Sequence, residues 1–506
     1  MNKWLLIICL CCWPDAANGF QVTLGGPLTA ATGTTGDLNG GMMFHPLGVA
    51  EGYQYDGTNV TDAFSMLGVG PIHVGVWWHE IEAVQGVYDF TLLDAFIAQF
   101  PRSQELGVRI WPRRNAWGTS DGSKTIPNDL TIGGTYYEFV RRTVLRFGQR
   151  NLSVWMTWEA DCNPAHWTGT APEYADMART FYAAVKAANA RAKVVLAVAF
   201  GDIKPCKLKT QNVLSLLSTD NPVPFDAFNM HLYHHQQYLE DPNYYSMYTI
   251  PGRLGWYRKE LYQYPAFRGI PIVVSEYGGP SATEASYLNQ TLFSDLATDV
   301  TGSPCILSTD CTVSPSHPAP EVYPDEFRMF CYGIDATLEA RRDRIHGRQI
   351  VQRTIMALGA GASRLYWWRL KQPPPIVCGI DEQFVHPFYG KMALFTRDGV
   401  PRYAQPIFTR LAGYLSDLAW ISKIELPNPS LYYYRLVSTS NVSRYVLWER
   451  RDEFFGETLP ATAVSVPVPW ATAQMISSAT GTVTSLTVVG GNAAVNITDT
   501  PVFLEE

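Results

Sequence analysis

The segment Pro271-Ile272-Val273-Val274-Ser275-Glu276-Tyr277-Gly278-Gly279 is the part of the sequence that decides the fold. Its apolar, β-branched residues follow a proline without interruption, which is typical of a strand buried on both faces of a parallel sheet. The strand ends in a carboxylate, Glu276, followed by two glycines. Because burying an unpaired carboxylate costs several kcal/mol, we expect Glu276 to be paired or to lie in a cleft. On this segment alone, a structural ion pair and a functional acid are equally good interpretations.

Short apolar strands alternate with amphipathic helices on both sides of this segment. The predicted strands lie at 42–45, 72–78, 108–113, 153–161, 193–200, 227–233, 272–276 and 364–369. The predicted helices lie at 61–67, 92–100, 137–147, 172–190, 210–217, 254–262, 348–358 and 406–418. Eight strand–helix units predict an α/β fold in which parallel strands close into a (β/α)8 TIM barrel. The alternative is an open doubly wound sheet, but the glycine-rich G-x-G-x-x-G loop usual in that fold is not found.

The pattern changes after position 420, where short β-type segments are separated by Gly, Asn and Pro. These segments lie at 432–438, 444–449, 463–467, 483–489 and 493–497. They predict a C-terminal all-β sandwich at 420–506, and a packed support for the barrel is a simpler interpretation of it than an independent binding module. The 506 residues then divide into an N-terminal strand and linker at 20–41, which could join the β-domain, and a barrel at 42–419 with a loop-rich insertion at about 279–345.

Residues 1–19 predict a secretory signal peptide. Lys3 supplies the positive charge, residues 4–13 form a short apolar core, and Ala17-Asn18-Gly19 offers a small-x-small cleavage site. The apolar core is too short to span a bilayer, and no later window is long enough. We therefore expect a secreted, extracellular protein with no membrane span.

The cysteines and sequons agree with an exported chain. Of the nine cysteines, three leave with the signal peptide, and the others are Cys162, Cys206, Cys305, Cys311, Cys331 and Cys378. An even number in an oxidising compartment suggests disulfides, with Cys305–Cys311 as a local candidate and the connectivity open. N-glycosylation sequons begin at Asn59, Asn151, Asn289, Asn441 and Asn496. No CxxC pair or His/Cys cluster indicates zinc, so we expect no metal or other cofactor. A net charge of -7 without a basic run argues against a nucleic-acid partner.

Polar and aromatic residues gather at the ends of the predicted strands, where active sites of such barrels form. Side chains two apart on a strand share a face, and this rule selects the candidates. They are Trp77, Arg109, Trp111, Glu159, Asp161, His231, Tyr233, Glu276 and Trp367. On the eighth strand, parity alone does not decide between Trp367 and Trp368. Each candidate also has a structural interpretation, such as a core histidine for His231 or an ion-pair partner for Arg109. Together, however, they are hard to explain as packing.

Two carboxylates from different strands of one barrel mouth indicate glycoside hydrolysis. One acid protonates the leaving oxygen, while the other attacks the anomeric carbon or activates a water. The aromatic residues suit stacking on sugar rings. A metal site is a weaker interpretation, because His and carboxylate residues are not clustered at ligand spacing. A Ser–His–Asp site is also weaker, because no G-x-S-x-G elbow follows a strand.

Several stretches resemble the retaining glycoside hydrolases of clan A, in particular family 39 or a related (β/α)8 glycosidase family. They are Trp78-His79-Glu80-Ile81-Glu82 with Gly86-Val87-Tyr88-Asp89-Phe90, the run Trp167-Thr168-Gly169-Thr170-Ala171-Pro172-Glu173, His231-Leu232-Tyr233, the opening segment, and Pro501-Val502-Phe503-Leu504-Glu505. The resemblance implies that Glu276 is the nucleophile and that an acid on the fourth strand is the acid/base. It also implies carboxyl groups roughly 5–5.5 Å apart, β-linked oligo- or polysaccharide as the substrate, and the remaining candidates as substrate-binding residues.

The fourth strand departs from the clan's pattern, in which Asn immediately precedes the acid/base. Here the order is Trp158-Glu159-Ala160-Asp161, with Trp158 in the place of that Asn. Glu159 is the preferred acid/base, because Glu has the reach and ends the predicted strand; in a second register Asp161 substitutes. The departure leaves a second hypothesis open, a glycan-binding protein on a decayed hydrolase scaffold. Transglycosylation with the same residues is a third. The sugar and the exo or endo mode are not specified by the sequence.

Overall fold

The computed structural model describes residues 45–51, 57–112, 115–120, 126–156, 167, 169–197, 204–232, 249–279, 325, 329, 336–371, 392–396, 398–452 and 456–506. Eight parallel strands, in sequential order, form a closed barrel. They are Leu47–Ala50 (β1), Ile72–Trp77 (β2), Leu106–Trp111 (β3), Leu152–Met156 (β4), Lys193–Ala197 (β5), Ala227–Leu232 (β6), Ile272–Tyr277 (β7) and Arg364–Trp368 (β8). Because β1 pairs with β8, the sheet is closed, and the predicted (β/α)8 TIM barrel is confirmed over an open sheet.

Helices surround the barrel. They are Thr61–Ser65 (α1), Trp78–Ile81 (α2), Thr91–Ala98 (α3), Thr135–Arg146 (α4), Ala171–Ala188 (α5), Lys204–Leu217 (α6), Ile250–Tyr262 (α7), Ala336–Gly359 (α8) and Ala404–Leu415 (α9). Helix α5 begins with a capping box, in which Thr170 and Glu173 exchange hydrogen bonds. The box satisfies backbone N–H groups that the first turn leaves without partners. None of the described helices combines the length and apolar composition that crossing a bilayer requires.

Side chains of the strands separate into two layers, as alternation requires. Val108, Phe228 and Val274 belong to the large core between strands and helices. Trp155 and Tyr366 belong to a smaller cluster inside the barrel, together with Val195, Ala227 and Val273. This inner packing is tight beside Gly107, where an added Cβ would lie 2.4 Å from Cζ3 of Trp155. Only glycine therefore fits at that position.

The β-domain follows the barrel. Its strands are Leu418–Ile424 (β9), Leu431–Ser438 (β10), Ser443–Glu449 (β11), Thr462–Pro467 (β12), Ala473–Ser477 (β13), Val483–Leu486 (β14), Val488–Val489 (β15), Asn492–Ile497 (β16) and Val502–Glu505 (β17). They form a six-stranded sheet in the order β14-β13-β17-β11-β10-β9 and a three-stranded sheet in the order β12-β16-β15. A core that includes Tyr433, Val466 and Val495 lies between them, which confirms the predicted all-β sandwich. Tyr414 of α9 stacks on Phe503 of β17, with ring centroids 3.9 Å apart, and joins the sandwich to the barrel.

Several predicted elements differ from the structure. The first strand is β1, at Leu47–Ala50, rather than 42–45, of which all but His45 lie outside the described residues. Helix α8 begins at Ala336, inside the predicted insertion, and is longer than 348–358. Its buried face carries charged and amide side chains such as Arg342, Gln349 and Arg353, so its hydrophobic period is weak. Strands β9 and β13 were not predicted. The proposed strand at 20–28 and the signal peptide lie outside the described residues, and the domain limits remain predictions.

Candidate active site

Glu276 faces the inside of the barrel because β7 contains a bulge. Val273 points inward and Val274 outward, so strict alternation would turn Glu276 towards the helices. The pairing with β6 instead passes from Met230 opposite Val274 directly to His231 opposite Glu276, and the pairing with β8 shifts in the same place. One extra residue in β7 therefore reverses the sides of the last two residues. Tyr277 accordingly packs outward against Trp367, at 4.9 Å between ring centroids.

The Glu276 carboxylate is held by two cationic or potentially cationic groups. Arg109 of β3 donates through Nη2 to Oε1, and both side chains are 2% exposed. His231 of β6 places Nδ1 at 3.2 Å from Oε2. A carboxylate in such a dry site requires a charged partner to offset its desolvation, and Arg109 supplies one. The predicted candidates Arg109, His231 and Glu276 thus meet at one point in the barrel.

Ser275, the residue before the acid, is held by side chains of two other strands. Its hydroxyl lies 2.9 Å from Nε2 of His231, and its N–H donates to Oδ1 of Asn229 at 3.0 Å. Its carbonyl oxygen lies 3.1 Å from Nε2 of His73, which reaches across the barrel from β2. These contacts satisfy the polar groups that a bulge leaves outside the sheet ladder. The local geometry that presents Glu276 is therefore set by side chains of β2 and β6.

His73 is neutral in this environment. Burial lowers the pKa of His73 well below its ordinary value, and the positive charge of Arg109 lowers it further. A neutral imidazole has one N–H, which suits a single donated bond to the carbonyl oxygen of Ser275. The positive charge beside Glu276 thus comes from Arg109 and not from His73.

Three tryptophans, here called the aromatic wall, end their strands on the inner side of the barrel: Trp77 on β2, Trp111 on β3 and Trp368 on β8. The rings of Trp77 and Trp111 lie 4.4 Å apart, and Cζ of Arg109 lies 5.7 Å from the ring centroid of Trp368. Tryptophan faces of this kind can stack on the apolar faces of sugar rings. Trp77 and Trp111 hold the positions expected for substrate-binding residues; that role remains a prediction.

The choice of Trp367 as the mouth residue of β8 is wrong. Trp367 packs in the helix-side core against Tyr277 and His346, and its Nε1 donates to the carbonyl oxygen of Met392 at 3.0 Å. Tyr366 points inward, so alternation places Trp368 on the inner side with it. Two adjacent tryptophans carry no parity signal in the sequence, and only the positions of the neighbouring strands distinguish them.

A supporting cluster behind the aromatic wall was not selected from the sequence. The Glu82 carboxylate accepts from Nε1 of Trp78 and from the N–H of Gly86, both at 2.8 Å. The carbonyl oxygen of Glu82 accepts from Nδ2 of Asn115 and Nε1 of Trp117, both at 3.0 Å. The cluster ties the segment after β2 to the segment after β3, and these are the strands that end in Trp77 and Trp111. The stretch that contains Glu82 carries part of the family resemblance, and this is the signal in the sequence for its role.

Three predicted site residues, Glu159, Asp161 and Tyr233, lie outside the described residues. The cysteines proposed for disulfides, including Cys305 and Cys311, lie outside them as well, or have no described side chain. Within the described ranges, no group of three or more His, Cys, Asp or Glu residues is arranged to hold a metal ion.

Solved structures that match the fold of this chain include glycoside hydrolases. A family 39 enzyme from Bacteroides cellulosilyticus WH2 matches with a TM-score of 0.60 and 12% identity, covering 91% of this chain and 81% of its own. A GH39 enzyme from Xanthomonas axonopodis pv. citri matches with a TM-score of 0.51 and 16% identity, covering 91% of this chain and 93% of its own. The catalytic domain of the GH30 xylanase C from Talaromyces cellulolyticus matches with a TM-score of 0.53 and 10% identity, covering 91% of this chain and 96% of its own.

These matches show that the chain shares the fold of these glycoside hydrolases, and in this chain that fold is a (β/α)8 barrel followed by a β-sandwich. The resemblance in fold to family 39 is thereby confirmed. No protein-family model matches the sequence, and no curated protein matches it either. At such low identity the likeness concerns the fold, and the chemistry depends on this chain's own residues.

Proposed function

We propose that the chain is a secreted retaining glycosidase that hydrolyses β-linked oligo- or polysaccharide. The observation that carries the proposal is the presentation of Glu276. A strand bulge turns this acid into the barrel, Arg109 and His231 hold its two oxygens, and Arg109 also lies against the ring of Trp368. A structural ion pair alone would need neither the bulge nor the aromatic surface.

The proposed reaction has two displacements. An oxygen of Glu276 attacks the anomeric carbon and forms a glycosyl–enzyme ester, while the glycosidic bond breaks and the leaving oxygen takes a proton from the acid/base. Water then loses a proton to that same residue, attacks the anomeric carbon and releases Glu276. Glu159 is the proposed acid/base, with Asp161 as the alternative. Arg109 keeps Glu276 charged and oriented before attack, and Trp77, Trp111, Trp368, Asp161 and Tyr233 are proposed to contact the sugar.

A 2-deoxy-2-fluoroglycoside with a good leaving group tests the assignment, because it traps the ester of a retaining enzyme. We expect mass spectrometry to find the sugar on the peptide that contains Glu276, using xylose- and glucose-based reagents first because a matched fold is that of a xylanase. Glu276→Gln should prevent labelling. Glu159→Gln and Asp161→Asn should separate the two acid/base candidates, since only the true one slows turnover strongly. Full activity of both Glu276→Gln and Glu159→Gln would refute the site.

A glycan-binding protein on a decayed scaffold is the second candidate, and Trp158 in the place of the clan's Asn favours it. Binding of defined polysaccharides without turnover or labelling would support this candidate over the enzyme.

Export and processing are part of the proposal. Cleavage after Gly19, disulfides among the remaining cysteines and glycans at sequons such as Asn441 would be visible in an intact-mass measurement of protein collected from the medium of a eukaryotic secretion host. Retention of residues 1–19 would contradict the proposed secretion.

A further inference from the structure

A polar cavity lies where the barrel meets the β-sandwich. Its volume is about 280 Å³, and its walls come from α8, the start of α9 and three loops of the β-domain. This volume lies just under the roughly 300–1,000 Å³ of small-molecule sites, so the cavity suits a single sugar ring better than a long chain. None of its lining residues belongs to a barrel strand.

Ion pairs built from both domains line the cavity. Arg344 and Arg348 of α8 donate to the two oxygens of Glu457 at 2.6 and 2.8 Å. Nε of Arg348 also lies 2.9 Å from Oδ2 of Asp499, and Arg348 and Asp499 are both more than nine-tenths buried. The two positive and two negative charges cancel. A metal ion would have to displace an arginine and an anion would have to displace a carboxylate, so the lining favours a neutral ligand.

Hydroxyl groups and an exposed aromatic ring complete the walls. Thr458, Thr498 and Thr500 lie in the lining, and so does Ser478, which is 1% exposed. The hydroxyl of Ser478 finds no hydrogen-bond partner among the described residues. A buried polar group without a partner costs free energy, which a ligand hydroxyl would recover. Tyr403 is 41% exposed and lines the cavity, so its ring is accessible to a ligand there.

We propose that this cavity binds a neutral, polyhydroxylated ligand, one sugar residue of a glycan. Guanidinium and carboxylate groups offer donors and acceptors for its hydroxyls, and Tyr403 provides an aromatic surface for its ring. The inference rests on the proposed function only for the expectation that a glycan is present. A glycan held there would attach the substrate to the seam between the domains and raise its local concentration near the barrel.

Hydrogen exchange localises such binding. The full-length Glu276→Gln chain is incubated with xylotriose, cellotriose or the free monosaccharides at millimolar concentrations, and amide exchange is followed by mass spectrometry. We expect slower exchange in peptides that cover 474–482 and 495–501. Tyr403→Ala should raise the sugar concentration that gives half-maximal protection about tenfold, which is the scale of losing one aromatic stacking contact. Ser478→Ala should also raise this concentration, without altering the fold.

Tyr262→Ala is the matched control, because Tyr262 is 42% exposed and does not line the cavity. It should leave the concentration for half-maximal protection unchanged. The proposal is overturned if no sugar in the panel protects the two seam peptides, or if Tyr403→Ala and Tyr262→Ala behave alike. Failure of the proposed glycosidase activity has a different signature, namely no turnover and no covalent label at Glu276 in the unsubstituted chain, with seam protection intact.

Discussion

Arg109 and Glu276 are 167 residues apart in the sequence and form a buried ion pair inside the barrel. The pair joins β3 to β7, strands that are not neighbours in the sheet. Removing one member of such a pair leaves the other charged and desolvated. The two residues therefore couple the stability of the barrel to the proposed chemistry.

Arg109→Leu should lower the free energy of unfolding by about 3–5 kcal/mol, because the buried carboxylate of Glu276 loses its charged partner. Denaturant unfolding measures this loss. Arg102→Leu, at an exposed position, is the control and should change stability little. The double variant Arg109→Leu/Glu276→Gln should recover part of the loss, because no uncompensated charge remains. Strict additivity of the two single substitutions would show that the pair is not coupled.

The two tryptophans of β8 should behave differently when each is replaced by Phe. Trp368→Phe should raise KM about three- to tenfold with a smaller change in kcat, because it reduces the aromatic surface beside Glu276. Trp367→Phe should leave kinetic constants unchanged per folded molecule but lower stability, because it removes core volume and the bond to Met392. Steady-state kinetics and thermal unfolding of both variants distinguish the roles. A larger KM effect at Trp367 would contradict the orientation described above.

Acid should destabilise the barrel partly through His346 of α8. Burial, assisted by the charge of Arg402, lowers the pKa of His346 to about 3 from its ordinary 6.5. Between these values the unfolded chain binds a proton that the folded chain does not. Stability is therefore lost as pH falls below 6.5, by up to about 1.4 kcal/mol per pH unit from this group.

His346→Phe keeps a ring beside Trp367 and removes the proton that the unfolded chain binds at this position. The slope of unfolding free energy against pH should then decrease by close to one proton between about pH 6 and pH 4. Equal slopes in the two proteins would mean that His346 is protonated in the folded state.

Glu82→Ala should lower stability by about 1–3 kcal/mol, because the buried N–H of Trp78 loses its acceptor. Glu82→Gln keeps a carbonyl oxygen in place and should lose less. Glu80→Ala, on the exposed side of the same short helix, is the control. Chemical denaturation of the three variants gives the comparison, and a loss at Glu80 that equals the loss at Glu82 would argue against the cluster.

Much of the barrel could be predicted because its strands are buried on both faces and its helices are amphipathic. Alternation also placed Arg109, Trp111 and His231 correctly on the inner side, since β3 and β6 are regular around these residues. Helix α8 was too short in the prediction because buried Arg and Gln side chains interrupt its apolar period. Such residues resemble a surface in the sequence and become compatible with burial only through partners such as Glu457 and Asp499.

The site itself could be predicted in composition but not in geometry. Glu276 was selected as the last acid of a buried strand, a choice that ignores which side it faces. The residues Val274-Ser275-Glu276 contain no sequence signal for a bulge. The shift arises from the pairing of β7 with β6 and β8 and from partners of Ser275 that lie far away in sequence. Trp367 was selected over Trp368 for the same reason, since facing depends on neighbouring strands.

The extra residue in β7 shifts the inward–outward alternation of the side chains by one position. Every side chain before it keeps its side of the sheet, and every side chain after it changes sides. If Ser275 took a regular place in the ladder, the composition of the segment would be unchanged, yet the carboxylate would point into the helical layer and Tyr277 into the barrel. Two chains could therefore share Glu276 in an alignment while only the one whose seventh strand has the same bulge could use it.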